Sequence, residues 1–505
     1  MAQGFDTVLK GGRVIDPAQA INAINDVAIK DGRVAAIGKN LDATGAEVID
    51  VSGELVTPGL IDIHVHVYGI LGFAWPDRVG ITQGVTTYVE PGGPGVSTYR
   101  EYKALTRDLT VANLYCGTYI SPIGITSGEI VDGDLRAIIG LPLIEWLDVM
   151  GENRDDIRYL KVGAFSTYGS GVVKMAKGLA EILNLPLYVH IGDFVKSDGP
   201  AVTPVTLDMA QRGDMITHIY HSNPGNILDS DGRVLPEVYA AEKRGVLFDV
   251  GFGAYNFSFV TAEKAYAQGV VPHVISSDLQ QVNVTGPTYS LANVMSIFLQ
   301  LGLTPEQVIE RVTINAARAL SFDDRHGTLH PGRAADITVL RVEDGEFEFA
   351  DTQGNRRTGN QRFMPLMVFK DGRRHTIDME IAQEVDNWSM QIASDHIPDA
   401  ALHLNAGQKE FLRDLAGALA NLEWNAPDFN TMEIGMEVAM AVHRRFHAVQ
   451  AASGIPLQQA LRALLACLFD CPFTYQAGIA IVRQPKGFIM ERLAAVSNGH
   501  AQVAA

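Results

Sequence analysis

The middle of this chain alternates two textures, and that alternation limits the fold more than anything else in it. β-prone apolar runs recur at "GLIDIHVH" (59–66), "TTYVEP" (86–91), "NLYCGTYI" (113–120), "RYLKVGAF" (158–165), "LPLYVHIG" (185–192), "MITHIYH" (215–221), "VLFDVG" (246–251) and "HVISSD" (273–278). Most intervals are close to the ~30 residues of a strand–helix–strand unit. Helical patterns such as "VVKMAKGLAEILN" (172–184) and "PEVYAAEKRG" (236–245) fill them. Eight strands alternating with helices call for an α/β architecture, a TIM (β/α)8 barrel. The third connection (121–157) is longer and needs additional helix or loop.

The flanks read differently. Residues 1–57 hold short β-prone runs between glycine turns, and the same texture returns over 336–384, with the tetrad "KDGR" at 30–33 and again at 370–373. The two segments are expected to pair into one discontinuous β-sandwich domain around the barrel of residues 58–335. From about residue 385 to 505 the texture is helical, with apolar positions at helical spacing in "QKEFLRDLAGALANL", "MEIGMEVAMAVHRRFHAVQAA" and "LQQALRALLACLF". Those stripes need a surface to cover them, so the extension is expected to pack on the barrel or to form a subunit interface.

The unusual polar residues fall at the carboxyl ends of the barrel strands, where such barrels build their sites. His64 and His66 end strand 1, with Asp62 before them; Lys161 ends strand 4, His190 strand 5, His218 strand 6 and Asp278 strand 8. Taken singly, each has an ordinary reading: a hydrogen-bonded histidine, a helix-capping aspartate, a snorkelling or ion-paired lysine. Together they put imidazole and carboxylate on one rim, a ligand set suited to zinc. Lysine is the remaining oddity, since an ammonium cannot ligate a cation. Desolvated, its amine loses a proton, and reaction with CO2 then gives a carbamate whose two oxygens can bridge two metals.

Bulk properties exclude other classes. A formal charge of −18 argues against nucleic acid and anionic lipid as partners. No run reaches the ~18 apolar residues of a membrane span, and the N-terminus lacks a signal-peptide pattern, so a cytoplasmic protein is expected. Cys116, Cys467 and Cys471 cannot make a disulfide framework, and Cys467 and Cys471 read as buried thiols. His443 and His447 in "AVHRRFH" stand four apart on a helix and could in principle bind metal; without an intervening glutamate and with arginines beside them, they read as a solvated face.

The motifs "VTPGLIDIHVH", "YLKVGAF", "LPLYVHIGD", "GDMITHIYH", "VISSDL", "TINAARAL" and "GTLHPGRAADITVL" resemble the amidohydrolase superfamily of metal-dependent hydrolases over roughly residues 5–378. The tokens "DIHVHVYG", "GVTTYVEPGGPG", "VHIGD" and "SSDL" are most similar to its deacetylase-type, dihydroorotase-like branch. Two departures stand out: Tyr68 where a dihydroorotase usually has an arginine, and Glu90 where the branch has aspartate. The resemblance implies a binuclear site, with His64, His66 and Asp278 on the more buried ion and His190 and His218 on the more exposed one. Carbamylated Lys161 and a hydroxide would bridge two divalent ions, zinc by expectation. The hydroxide would attack the substrate carbonyl and Asp278 would shuttle the proton. Asp62 would act from behind the ligands, and Tyr68, His221, Asn223, Phe252, Tyr255 and Asn256 lie where they could line the pocket.

The implied activity is cleavage of an amide or ester, an N-acyl or O-acyl group on a small carboxylate-bearing molecule. The alternatives are a cyclic amidase acting on a hydantoin, imide, lactam or dihydroorotate-like ring, and a non-catalytic scaffold. A homo-oligomer is expected, with a small-molecule substrate as the ligand. The helical extension lies outside the resemblance.

Overall fold

The computed structural model describes residues 4–72, 76–125, 141–193, 201–379, 397–424, 436–469, 477–482 and 484–499. Part of the long third connection and Cys471 lie outside these residues.

Strands β1 (Thr7–Asp16), β2 (Ile21–Lys30), β3 (Arg33–Gly38), β4 (Glu47–Asp50) and β5 (Leu55–Pro58) precede the barrel. The barrel strands are β6 (Leu60–Asp62), β7 (Val85–Gly95), β8 (Asn113–Tyr119), β9 (Ile157–Ala164), β10 (Leu187–Ile191), β11 (Met215–Thr217) and β12 (Leu247–Phe248). β13 (Ile337–Ala350), β14 (Arg356–Lys370) and β15 (Arg373–His375) follow it. The flanking strands join as expected, in one eight-stranded sheet of order β15-β14-β13-β5-β1-β2-β3 with β4 on β1. Its core is Leu9, Val14, Val27, Ile29, Val56, Ile337, Val339 and Phe369. Each "KDGR" makes a hairpin turn: Asp31 and Gly32 have φ of 50° and 75°, Asp371 and Gly372 of 49° and 74°. Those left-handed pairs suit the twist of a tight hairpin.

Strands β6 to β12 form one parallel sheet in chain order. β9 is buried along nearly its whole length, as a strand must be when helices cover one face and the barrel interior the other. The helix Ser170–Leu183 shows how the outer layer is made. Val172, Val173, Ala176, Leu179, Ala180 and Leu183 form its buried stripe, and Asn184, left-handed at φ 53°, ends it. Inside the barrel, Ile61, Ile63, Val89, Tyr115, Tyr159, Tyr188, Met215 and Val274 pack into a plug.

The eighth strand differs from expectation. Residues 273–278 form no ladder; Val274 bridges Asp249 and Leu279 bridges Val65, so two isolated pairs close the barrel between β12 and the end of β6. The reason lies in the polar residues of the rim. Strand 1 narrows to Leu60–Asp62, and strand 6 to Met215–Thr217, because the backbone turns where the polar residues begin. His218 and Asp278 both adopt left-handed conformations, φ 67° and 46°. Such a conformation costs a non-glycine residue ~1–3 kcal/mol and is concentrated at functional sites.

The extension contains the helices Asp399–Leu402, Ala406–Leu419, Met436–Ser453, Leu457–Leu468, Ala477–Val482 and Lys486–Ser497. Asn405 and Gln408 cap the second reciprocally. Phe411, Leu415, Leu461, Leu464 and Leu468 merge with barrel side chains in one hydrophobic core, and Gln458 donates to the Ala104 carbonyl at 3.0 Å. The extension therefore packs on the barrel, at the helix Tyr99–Leu105 that follows β7. No helix of the described residues is long and apolar enough to cross a membrane.

Candidate metal centre

The six rim residues are all buried and drawn together. His64, His218 and Asp278 each offer a ligand atom, all lying within 4.8 Å of one another. Asp278 Oδ1 is 3.2 Å from His64 Nε2 and 3.4 Å from His66 Nε2. Lys161 Nζ stands 3.5 Å from His64 Nε2 and 4.2 Å from the centre of the Tyr188 ring. The His190 and His218 rings are 4.2 Å apart.

What turns the imidazoles inward is the network behind them. His64 Nδ1 donates to the Tyr188 hydroxyl at 2.8 Å, and that hydroxyl donates to Asp249 Oδ2 at 2.5 Å. Asp249 Oδ2 also accepts from Thr217 and Ser276, 2.7 Å each. His218 Nδ1 donates to the Gly251 carbonyl at 2.6 Å, and His66 Nδ1 lies 3.2 Å from Glu90. Each of these three rings thus spends Nδ1 on the protein and presents Nε2, the arrangement in which outer partners orient metal-ligating histidines. Asp62 accepts from the backbone N–H groups of His64 and Ser277, stitching strand 1 to the eighth segment.

Electrostatics favour a cation. Burial, reinforced for each ring by neighbouring positive groups including Lys161, holds His64, His190 and His218 well below the usual imidazole range, in the neutral ligating form. For His66, burial is outweighed by Asp278 and Glu90, and its pKa is pushed up to about 9. Burial likewise presses the Asp278 carboxyl upward, but His64, His66 and Gln280 hold it below the ordinary range. Burial lowers the Lys161 ammonium to about 7, with Asp278, Asp249 and Glu90 opposing only in part. A pocket with buried carboxylates and three neutral imidazoles fits divalent metal, which satisfies both at once.

Two of these supports carry no signal in local sequence. Asp249 lies within an expected strand, and its partners come from three other barrel segments. Glu90 was visible as a departure from a motif, but its work was not. It accepts from the backbone N–H groups of Val67 (2.6 Å), Tyr68 (2.9 Å) and Gly93 (2.7 Å), clamping the turn after His66.

The expected pocket residues divide. Asn256 is buried at the rim and donates to Asp278 Oδ2 at 3.2 Å. His221 is fully buried with neither ring nitrogen hydrogen-bonded, and burial pushes its pKa down to about 3. Gly192 makes room for it, since a side chain there would collide with the imidazole. The other positions have partners or surroundings of their own. The Tyr68 hydroxyl donates to Glu101 at 3.3 Å, Phe252 stacks on Phe257 in the core, and Tyr255 is 60% exposed. Asn223 donates to the Tyr255 carbonyl at 3.4 Å.

The amidohydrolase family pattern matches residues 259–375. A protein named deacetylase from Brucella anthropi is 30% identical over 354 residues, which is 68% of this chain and 86% of that one. This chain belongs to the amidohydrolase family. The fold agrees: a crystal structure of a dihydroorotase superposes with a TM-score of 0.66 at 28% identity, covering 74% of this chain and 99% of that one. A crystal structure of an adenine deaminase gives the same TM-score at 26% identity, over 74% of this chain and all of that one. This amidohydrolase is thus a hydrolase of carbon–nitrogen bonds on a barrel scaffold, and of the rim residues Asp278 falls within the segment that the family pattern matches.

Proposed function

We propose that this amidohydrolase removes an N-acyl or O-acyl group from a small, carboxylate-bearing molecule at a binuclear centre. The observation that carries the reading is the complete rim, His64, His66, Lys161, His190, His218 and Asp278, buried together with His64, His66 and His218 oriented from behind. The deacetylase relative supports the acyclic substrate class. His64, His66 and Asp278 would hold one ion and His190 and His218 the other, zinc in class, with Lys161 between them. Bound there, two ions supply a water of lowered pKa and polarise the scissile carbonyl.

The chain's own residues do the rest. The Lys161 amine, whose ammonium burial lowers to about 7, would add to CO2: the N–C bond forms as one C–O π bond opens, one proton leaves, and the carbamate would supply an anion beside His64. Asp278 moves the reaction's proton. Its Oδ1 faces His64 and His66, which leaves Oδ2 to take the proton of the attacking water and return it to the leaving nitrogen or oxygen. Asn256 fixes that oxygen, and Gly253 keeps the space beside it open, because a Cβ there would collide with Oδ2. His221, neutral and without a partner, offers a ring N–H to the substrate.

The ring-opening alternative has the dihydroorotase likeness behind it. Against it stands Tyr68, whose hydroxyl is taken up by Glu101 and which brings no cation to the rim. The deciding experiment is a panel of N-acyl amino acids, acyl esters, hydantoins, imides and dihydroorotate, assayed with zinc-loaded protein. Turnover of the acyclic acyl compounds is expected; turnover of cyclic amides alone would overturn the reading.

A further inference from the structure

A second histidine–carboxylate cluster lies where the C-terminal helices meet the barrel. His443 and His447 share one face of the helix Met436–Ser453, and that face is turned inward onto Glu101 of the helix Tyr99–Leu105. The arginines that made the pair look solvated point elsewhere: Arg444 is exposed, and Arg445 donates to the Ala418 carbonyl. Sequence could not show this, because Glu101 and His447 are 346 positions apart.

Glu101 is 0% exposed. Its Oε1 lies 2.9 Å from His447 Nε2 and 3.2 Å from His443 Nδ1. Its Oε2 accepts from the Ala477 backbone N–H at 3.0 Å and from the Tyr68 hydroxyl at 3.3 Å. His443 is more than nine-tenths buried, and its Nδ1 has no hydrogen-bond partner although the carboxylate is so close. His443 Nδ1 and the carboxylate are thus close without being hydrogen-bonded, while His447 contacts the same oxygen. Adjacent ligands at the corners of a zinc tetrahedron with bonds of ~2.0–2.1 Å stand about 3.3–3.4 Å apart; the two spacings to Glu101 Oε1, 3.2 and 2.9 Å, are somewhat shorter and would open slightly around an ion. The three ligand atoms all fall within 4.8 Å of one another. A buried carboxylate needs a compensating cation, and the groups that face this one are the two imidazoles, a phenol and a backbone amide.

We propose that Glu101, His443 and His447 hold one divalent transition-metal ion, zinc in class, that fastens the C-terminal helices to the barrel. The second carboxylate oxygen is already fixed by Ala477 and Tyr68, the outer support a metal ligand requires. The site draws one ligand from the barrel and two from the extension, so binding it costs entropy that only a docked extension has already lost. It is independent of the rim chemistry and stands whether or not the rim is binuclear.

The test is zinc per chain, measured by elemental analysis after dialysis of the full chain against a zinc buffer. Three proteins are compared: the wild type, the double variant His443→Asn/His447→Gln, and the rim variant His64→Asn/His66→Asn. The double variant is expected to hold about one ion fewer than the wild type, with kcat within about twofold. The rim variant is expected to keep the ion at Glu101. Equal counts in the wild type and a folded double variant would overturn the proposal. If the double variant does not fold, a zinc-edge anomalous peak beside Glu101 in wild-type crystals supports the proposal, and its absence after zinc soaking overturns it. A failed rim reading lowers all the counts but leaves the difference between wild type and double variant at one.

Discussion

The rim and the Glu101 cluster are built from the same side chains, imidazole and carboxylate, and both are buried. Their settings differ. At the rim the proposed ligands stand at strand ends, two of them on left-handed backbone, with a lysine whose ammonium is lowered to about 7. At Glu101 the groups sit on regular helices, with no lysine among them. Strain and a titratable amine are costs that a purely structural site has no reason to carry. The comparison teaches that ligand identity finds a metal site, while the backbone and the surplus group tell chemistry from fastening. The two regions also touch: Glu90 supports His66 and the Tyr68 backbone, and the Tyr68 hydroxyl supports Glu101.

The largest effect should come from Asp278→Asn. The amide still offers an oxygen but carries no proton, so kcat should fall ~10²–10⁴-fold while circular dichroism is unchanged. A loss below about tenfold would place the proton elsewhere and erase the distinction between the two clusters. Next is Glu90→Gln, which weakens the orientation of His66. Competition with a chelator should show metal affinity at the rim reduced ~10–100-fold, with the Glu101 ion unaffected. Equal weakening at both sites would mean that they form one unit.

Tyr68→Phe is expected to act on stability and on the ion proposed at Glu101, and not on substrate binding. Losing one hydrogen bond to a buried carboxylate should cost ~1–3 kcal/mol in denaturant unfolding and leave KM unchanged. A KM raised tenfold at normal stability would return Tyr68 to the substrate pocket. The smallest effect concerns the thiols. Burial pushes Cys467 up to about 12, despite the opposing charge of Arg492, and also holds Cys116 well above the ordinary thiol range. Neither should be alkylated at pH 8 in the native chain, whereas rapid labelling of Cys467 would show that the extension opens.

The rim was legible because strand ends are marked by period-two patterning, and because barrel topology carries separate strand ends to one place. That logic reached His64, His66, Lys161, His190, His218 and Asp278 without a single contact in hand. It failed where a residue's role depends on partners from other segments. Asp249 sits inside an ordinary apolar run, and only folding brings Tyr188, Thr217 and Ser276 onto its carboxylate. The same limit hid the inward face of His443 and His447. It also placed an eighth strand where the chain gives up its ladder to aim Asp278.

Anomalous diffraction at the zinc edge, from crystals of the full chain with measured amide hydrolase activity, tests the central claim most directly. The account predicts two peaks at the rim, one against His64, His66 and Asp278 and one against His190 and His218, with carbamate density extending Lys161 between them. An active enzyme with no peak at that rim, or with an unmodified Lys161 beside two fully occupied ions, would contradict it.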